Sequence, residues 1–128
     1  MSFRAYIVED SPTIRDNLIE TLTELAEVEP VGVAETENEG KAWLAEHQDD
    51  WDVAIVDLFL KQGNGLRVVE SCRRRRPRQK VIVLSNHATS DMRRRCAALG
   101  ADAVFDKSTE IDALLDYCVK ARGELEAA

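Results

Sequence analysis

The sequence predicts an α/β fold: a doubly wound, five-stranded parallel sheet in the order 2-1-3-4-5, with five helices covering its two faces. Three observations lead there. Short apolar segments of strand length alternate with segments of helical period along the whole chain. Two strand segments, residues 53–56 (VAIV) and 81–84 (VIVL), are apolar without interruption, as strands buried on both faces are. Right-handed crossovers then leave few ways to order five parallel strands, of which the flavodoxin-like order is the natural one.

Residues 3–8 form the first strand, rich in aromatic and β-branched types. Ser11 is an N-cap and Pro12 takes the first helical position, where its missing N–H costs nothing. Ile14, Leu18, Leu22 and Leu25 keep helical spacing. The second strand is expected over 31–36 and the second helix from Glu37 to about Gln48. The third strand runs over 52–57, followed by the loop LKQGNG, in which Gly63 and Gly65 are read as turn residues. The third helix is expected over 66–76, stopped by Pro77. The fourth strand covers 80–85 and the fourth helix 89–99, closed by Gly100. A short fifth strand at 103–105 precedes the last helix, where Thr109 and Asp112 fit a capping pattern.

At 128 residues and 45% hydrophobic, the chain suits one compact domain with a real core. A formal net charge of −7 argues against general binding to nucleic acid or to anionic membranes. No apolar run approaches the roughly 20 residues of a membrane helix, and the N-terminus does not read as a secretory signal. Cys72, Cys96 and Cys118 form no C-x-x-C pair, so reduced, buried thiols in a cytoplasmic protein are expected.

In this topology ligands sit at the carboxyl ends of the strands, where the winding reverses between strands 1 and 3. Glu9 and Asp10 follow strand 1, Asp57 ends strand 3, Ser85 ends strand 4 and Lys107 follows strand 5. Three converging carboxylates need compensation, and a hard divalent cation such as Mg²⁺ (or Mn²⁺) supplies it. Lys107 suits a phosphate as a point charge, and Ser85 offers a hydroxyl donor. A carboxylate, a metal, an ammonium and a hydroxyl make a phosphoryl-transfer site, with Asp57 as nucleophile in an aspartyl-phosphate route.

Over essentially its whole length the chain resembles the receiver domain of two-component response regulators. The resemblance is carried by YIVEDSPTIRDNL, AIVDLFLKQGNGL, VIVLSNHA and GADAVFDKS. It implies that Asp57 accepts phosphate from a phosphohistidine on a sensor histidine kinase or histidine phosphotransfer protein. It implies Asp10 as a direct metal ligand, Glu9 acting through water, and the backbone carbonyl of Phe59 as a further ligand. Ser85 and Lys107 become phosphoryl contacts. Such domains assist their own phosphorylation and dephosphorylation but are regulators, not turnover enzymes. The 128 residues then make one receiver domain without an output domain. They are read as a stand-alone regulator or as a piece of a longer one that acts on an output partner or a downstream effector.

Four departures from the family pattern stand out. The acidic pair begins with Glu9. Ser108 follows the lysine, where proline is common. Asn86 takes a position of small residues. Val104 stands three before the lysine, where an aromatic residue is frequent. Phe105 is next door, but adjacent strand residues face opposite sides. Output is therefore expected through the loop after Ser85 and the fourth helix, without an aromatic swing. Phe59 and His87, each two residues past a site residue, are expected to flank the path of an attacking water; Phe59 would shield the acyl phosphate, and His87 would either orient that water or face solvent.

The runs RRRRPR (73–78) and RRR (93–95) invite a nucleic-acid reading, but they lack interleaved aromatics and sit in an acidic chain. A solvated helix face, with the last turn complementing the helix dipole, is the expectation for 73–76. Two rival functions remain. A haloacid-dehalogenase-type phosphatase also uses a strand-end Asp, but wants a second acid two residues on, where Phe59 stands. A pseudo-receiver would use the same fold purely as an interaction module.

Overall fold

A computed structural model describes residues 3–86 and 88–127. The elements alternate without exception: β1 (Phe3–Val8), α1 (Pro12–Ala26), β2 (Val28–Ala34), α2 (Glu37–Glu46), β3 (Val53–Asp57), α3 (Gly65–Ser71), β4 (Lys80–Ser85), α4 (Ser90–Ala98), β5 (Ala103–Asp106) and α5 (Ile111–Ala127). All strand pairings are parallel and the order is β2-β1-β3-β4-β5, as expected.

The period of two along each strand divides the core into two layers. Phe3, Ile7, Ile55, Ile82 and Leu84 face α1 and α5, meeting Leu18, Leu22, Leu114 and Cys118. Tyr6, Val8, Val56, Val81 and Val83 face the other way, against Leu44, Val68, Val69 and Cys96. Every residue of β3 is buried, which is why its sequence shows no alternation of polar and apolar types. All three cysteines are buried and unpaired.

Several boundaries differ from expectation, each for a local reason. β2 begins at Val28, three residues early. Glu27, with φ 53°, ends α1 in a single left-handed residue and lets the strand start at once. Arg122 holds this turn, donating to the Ala26 carbonyl at 3.1 Å and to Glu27 Oε2 at 2.7 Å. Pro30 is tolerated because β2 is an edge strand and its register with β1 shifts at Ala5/Tyr6.

α3 ends at Ser71, five residues short of the predicted end. Beyond it the backbone tightens into turns, with Cys72 N bonded to Val69 O and Arg75 N to Cys72 O. Arg75 then braces the turn: its guanidinium donates to Cys72 O, Gln79 O and Gly100 O and pairs with Asp102. The arginines at 73–76 therefore lie past the helix, not on its last turn. Arg76 pairs with Asp49, and Arg78 shares buried Asp52 with Arg4. The last helix also starts late, at Ile111. In place of the Thr109–Asp112 cap, Asp106 Oδ1 accepts from the N–H groups of Ser108 and Thr109.

Candidate functional site

The strand register brings the carboxyl ends level. Val8 pairs with Val56, Asp57 with Leu84, and Ser85 with Asp106. Glu9 and Asp57 are buried, 3% and 6% exposed, and Asp10 is half-buried. Carboxylate oxygens of Glu9, Asp10 and Asp57 all lie within 4.8 Å of one another. Lys107, carried past the end of β5, reaches back with Nζ 2.6 Å from Glu9 Oε1 and 2.8 Å from Asp57 Oδ2. Its backbone N–H donates to the Ser85 carbonyl at 3.1 Å, which fixes the lysine loop against the end of β4. Ser85 is fully buried there.

Burial disfavours the Lys107 ammonium, but the hydrogen bonds it donates to Asp57 and Glu9 outweigh this and raise the lysine above its ordinary value. The lysine is thus a fixed cation between two buried acids. Three carboxylates offering hard oxygens in one small space, with a single ammonium against them, form a donor set that fits a hard divalent cation.

The Asp57 side chain is oriented from its own loop, since Phe59 N donates to Asp57 Oδ1 at 3.2 Å. The Phe59 side chain itself is 55% exposed, at the rim. Val104 belongs to the layer formed with α2, α3 and α4, whereas Phe105 packs on the α1–α5 side. There it meets Tyr117 edge-on, with ring centroids 6.0 Å apart. The two neighbours do face opposite sides of the sheet. His87 lies outside the described residues.

The response regulator receiver domain profile matches residues 5–118. The chain belongs to the response regulator receiver domain family. Among curated proteins, this receiver domain is 32% identical over 92 residues to the photosynthetic apparatus regulatory protein RegA of Rhodobacter capsulatus, covering 72% of the chain and 48% of that protein. It is 33% identical over 111 residues to a protein-glutamate methylesterase/protein-glutamine glutaminase of Agrobacterium fabrum, covering 86% of the chain and 31% of that enzyme. The chain thus spans less than half the length of these relatives. Among solved structures, it superposes on the response regulator domain of Thermotoga maritima CheB with a TM-score of 0.81 at 19% identity, covering 96% of this chain and 98% of that one. The BeF3-activated DrrB receiver domain gives 0.78 at 20% identity, covering 96% and 99%. These two structural likenesses speak to the fold alone.

Other residues that shape the receiver site are not apparent from the sequence. Gly65, read as a turn residue, is the first residue of α3. A Cβ there would lie 2.1 Å from the Asp57 carbonyl oxygen and 2.7 Å from Leu58 Cα, so its requirement is close approach to the backbone that carries Asp57. Asn64 caps α3 through Leu66 N, and Glu37 Oε1 accepts from Asn64 N at 2.9 Å. On the other side, Arg93 donates to the carbonyls of Ala88 and Val104 and pairs with Glu110, tying α4 to the lysine loop. The loop glycines Gly63 and Gly65 are visible in the sequence; the Arg93–Glu110 pair carries no signal that distinguishes it from surface charge.

Proposed function

We propose that this receiver domain is the phosphoacceptor switch of a two-component phosphorelay, with Asp57 as the acceptor. The observation that carries the reading is the cluster of buried Glu9, half-buried Asp10 and buried Asp57, with Lys107 paired to Glu9 and Asp57, at the carboxyl ends of β1, β3 and β5. A carboxylate oxygen of Asp57 attacks the phosphorus of a partner's phosphohistidine. The O–P bond forms as the P–N bond breaks, and the imidazole leaves with the electron pair. Asp10 and Asp57, the backbone carbonyl of Phe59 and, through water, Glu9 would hold Mg²⁺ (or Mn²⁺). That ion supplies charge neutralisation at the transferring group. Lys107 shifts from pairing two carboxylates to holding a phosphoryl oxygen, and the Ser85 hydroxyl donates to another. Positioning and charge, not proton transfer, are the protein's contribution.

The donor is a sensor histidine kinase or histidine phosphotransfer protein. An apolar cleft of about 340 Å³ beside Lys107, lined by Ile14, Leu18, Leu84 and Ile111, supports its docking from the α1 side. Output runs through the loop after Ser85 and α4 toward a protein partner, with no aromatic swing at Val104 and no direct nucleic-acid contact. The chain acts as a cytoplasmic regulator, not a turnover enzyme.

Incubation with acetyl phosphate and Mg²⁺, followed by intact-mass measurement, tests this. The expected result is an adduct of about 80 Da, one phosphoryl group, absent in Asp57→Ala. Steady release of phosphate without an adduct would favour a phosphatase. No adduct and no turnover would favour a pseudo-receiver.

A further inference from the structure

A second concave site lies at the opposite end of the sheet. Trp51 and Gln79 precede β3 and β4, whereas Asp57 and Ser85 end them. At strand rise, Trp51 lies roughly 20 Å from the acceptor. Between α2 and the turns after α3 is a cleft of about 550 Å³, within the range of small-ligand sites. Its lining combines apolar Leu44, Ala45 and Cys72 with the cationic Arg74 and Arg76.

Three donors there are poorly used. Trp51, which lines the cleft, is 2% exposed, and its indole Nε1–H has no acceptor among the described residues. A buried donor without a partner is costly, and its presence in a cleft wall points to an acceptor from outside the chain. Arg74 is exposed and makes no hydrogen bond or ion pair among the described residues. Among the described residues Arg76 pairs only with Asp49, both 60% exposed, and such exposed pairs are weak. The remaining cations of the cleft are committed, Lys41 to Glu37 and Arg75 to Asp102. Buried Gln79 ties together the backbone around the cleft: it donates to the carbonyls of Gln48 and Trp51 and accepts from Arg76 N.

We propose that this cleft binds a small phosphorylated organic anion. Guanidinium groups match phosphate oxygens in shape and charge. A dianion can displace Asp49 from Arg76 where a single carboxylate would only exchange with it. Arg74 takes a second oxygen, and Trp51 Nε1–H donates to a third after a small opening of the wall. The carbon body lies on Leu44, Ala45 and Cys72.

The chain has two tryptophans, so its indole N–H region gives two signals. Trp43 stacks on Tyr6 and is not part of the cleft lining, which makes it the internal reference. The test is titration of the full ¹⁵N-labelled chain with adenosine monophosphate and, separately, with inorganic phosphate. The Trp51 indole signal is expected to shift saturably at millimolar concentration or below while that of Trp43 stays. Exposed Arg74→Gln should weaken binding about tenfold, and Arg76→Gln similarly. Equal affinity for the two probes assigns the site to phosphate itself; preference for the nucleotide assigns it to an organic phosphate. A signal that does not move, or affinity unchanged in both arginine variants, overturns the proposal. So does saturation by an Asp/Glu-rich peptide but by neither phosphate probe, which would make the cleft a protein-docking surface. None of these readouts involves Asp57, so failure here is separable from failure of the phosphorelay reading.

Discussion

Lys107 donates to Asp57 across 2.8 Å while its other contact holds Glu9 at 2.6 Å. One ammonium therefore serves two buried carboxylates at the ends of different strands. Removing it leaves both acids without their cation in a poorly solvated place. Breaking a buried pair from one side costs about 3–5 kcal/mol. Lys107→Ala is expected to destabilise the metal-free chain by about 3 kcal/mol, since the site has a half-buried edge at Asp10. Adding Mg²⁺ should restore much of this, because the cation takes over the compensation. Urea unfolding with and without Mg²⁺ measures both. A variant as stable as the wild type in the absence of metal would show that the lysine does not carry that role.

Gly65 makes a different prediction, because its constraint is steric. A methyl group pressed against the Asp57 carbonyl must move the backbone that presents this proposed acceptor. Gly65→Ala is expected to cost about 1–3 kcal/mol and to slow phosphorylation by acetyl phosphate markedly. Gly123 is the control, since nothing lies within 4 Å of the Cβ it would gain in α5. Gly123→Ala should stabilise by up to about 1 kcal/mol through helix propensity. Thermal unfolding and a phosphorylation time course separate the two. Normal phosphorylation in Gly65→Ala would mean that the acceptor tolerates the shift.

These two residues also mark how far the sequence could be read. Lys107 and the three acids stand at strand ends in a fold legible from alternation and apolar runs, so topology alone predicted their convergence. Gly65 was visible as a glycine, but its reason is a tertiary approach of α3 to β3, which no local signal encodes. The same holds for α3, expected to reach residue 76 and ending at Ser71. The arginines that follow could extend a helix, yet the Arg75 guanidinium donates instead to the carbonyls of Gln79 and of Gly100, the latter 25 residues away, so the turn is set by contacts the local pattern does not carry.

Phe59 stands two residues after Asp57, the proposed acceptor, with its ring 55% exposed at the rim. Hydrolysis of an acyl phosphate needs a water placed opposite the Asp57 oxygen, and an apolar ring there offers that water no hydrogen bond. Phe59→Asn supplies both a donor and an acceptor. Its autodephosphorylation is expected to be several-fold faster, followed as loss of the mass adduct after acetyl phosphate is removed. An unchanged decay rate would dismiss shielding by Phe59.

Arg93 and Glu110 close the opposite side, paired at 2.5 Å, while Glu110 also accepts from Asp106 N at 2.9 Å. The hydrogen bond from Arg93, followed by that from Asp106 N–H, outweighs partial burial and holds the Glu110 carboxyl below its ordinary range. The sign follows from linkage. A folded-state value below the unfolded one contributes stability that is present above the unfolded value, about 4.3. It is lost as pH falls through the folded value. Glu110→Gln keeps an acceptor oxygen but removes the charge. At neutral pH the variant should unfold at lower urea than the wild type, and the two midpoints should converge as the pH drops below about 4. A difference that is the same at both pH values would mean that shape, not charge, holds α4 to the lysine loop. Because Arg93 also binds the carbonyls of Ala88 and Val104, at 3.0 and 2.8 Å, the variant should loosen the segment before α4 first. Faster amide exchange at 88–93 than in α1 would register that order of events.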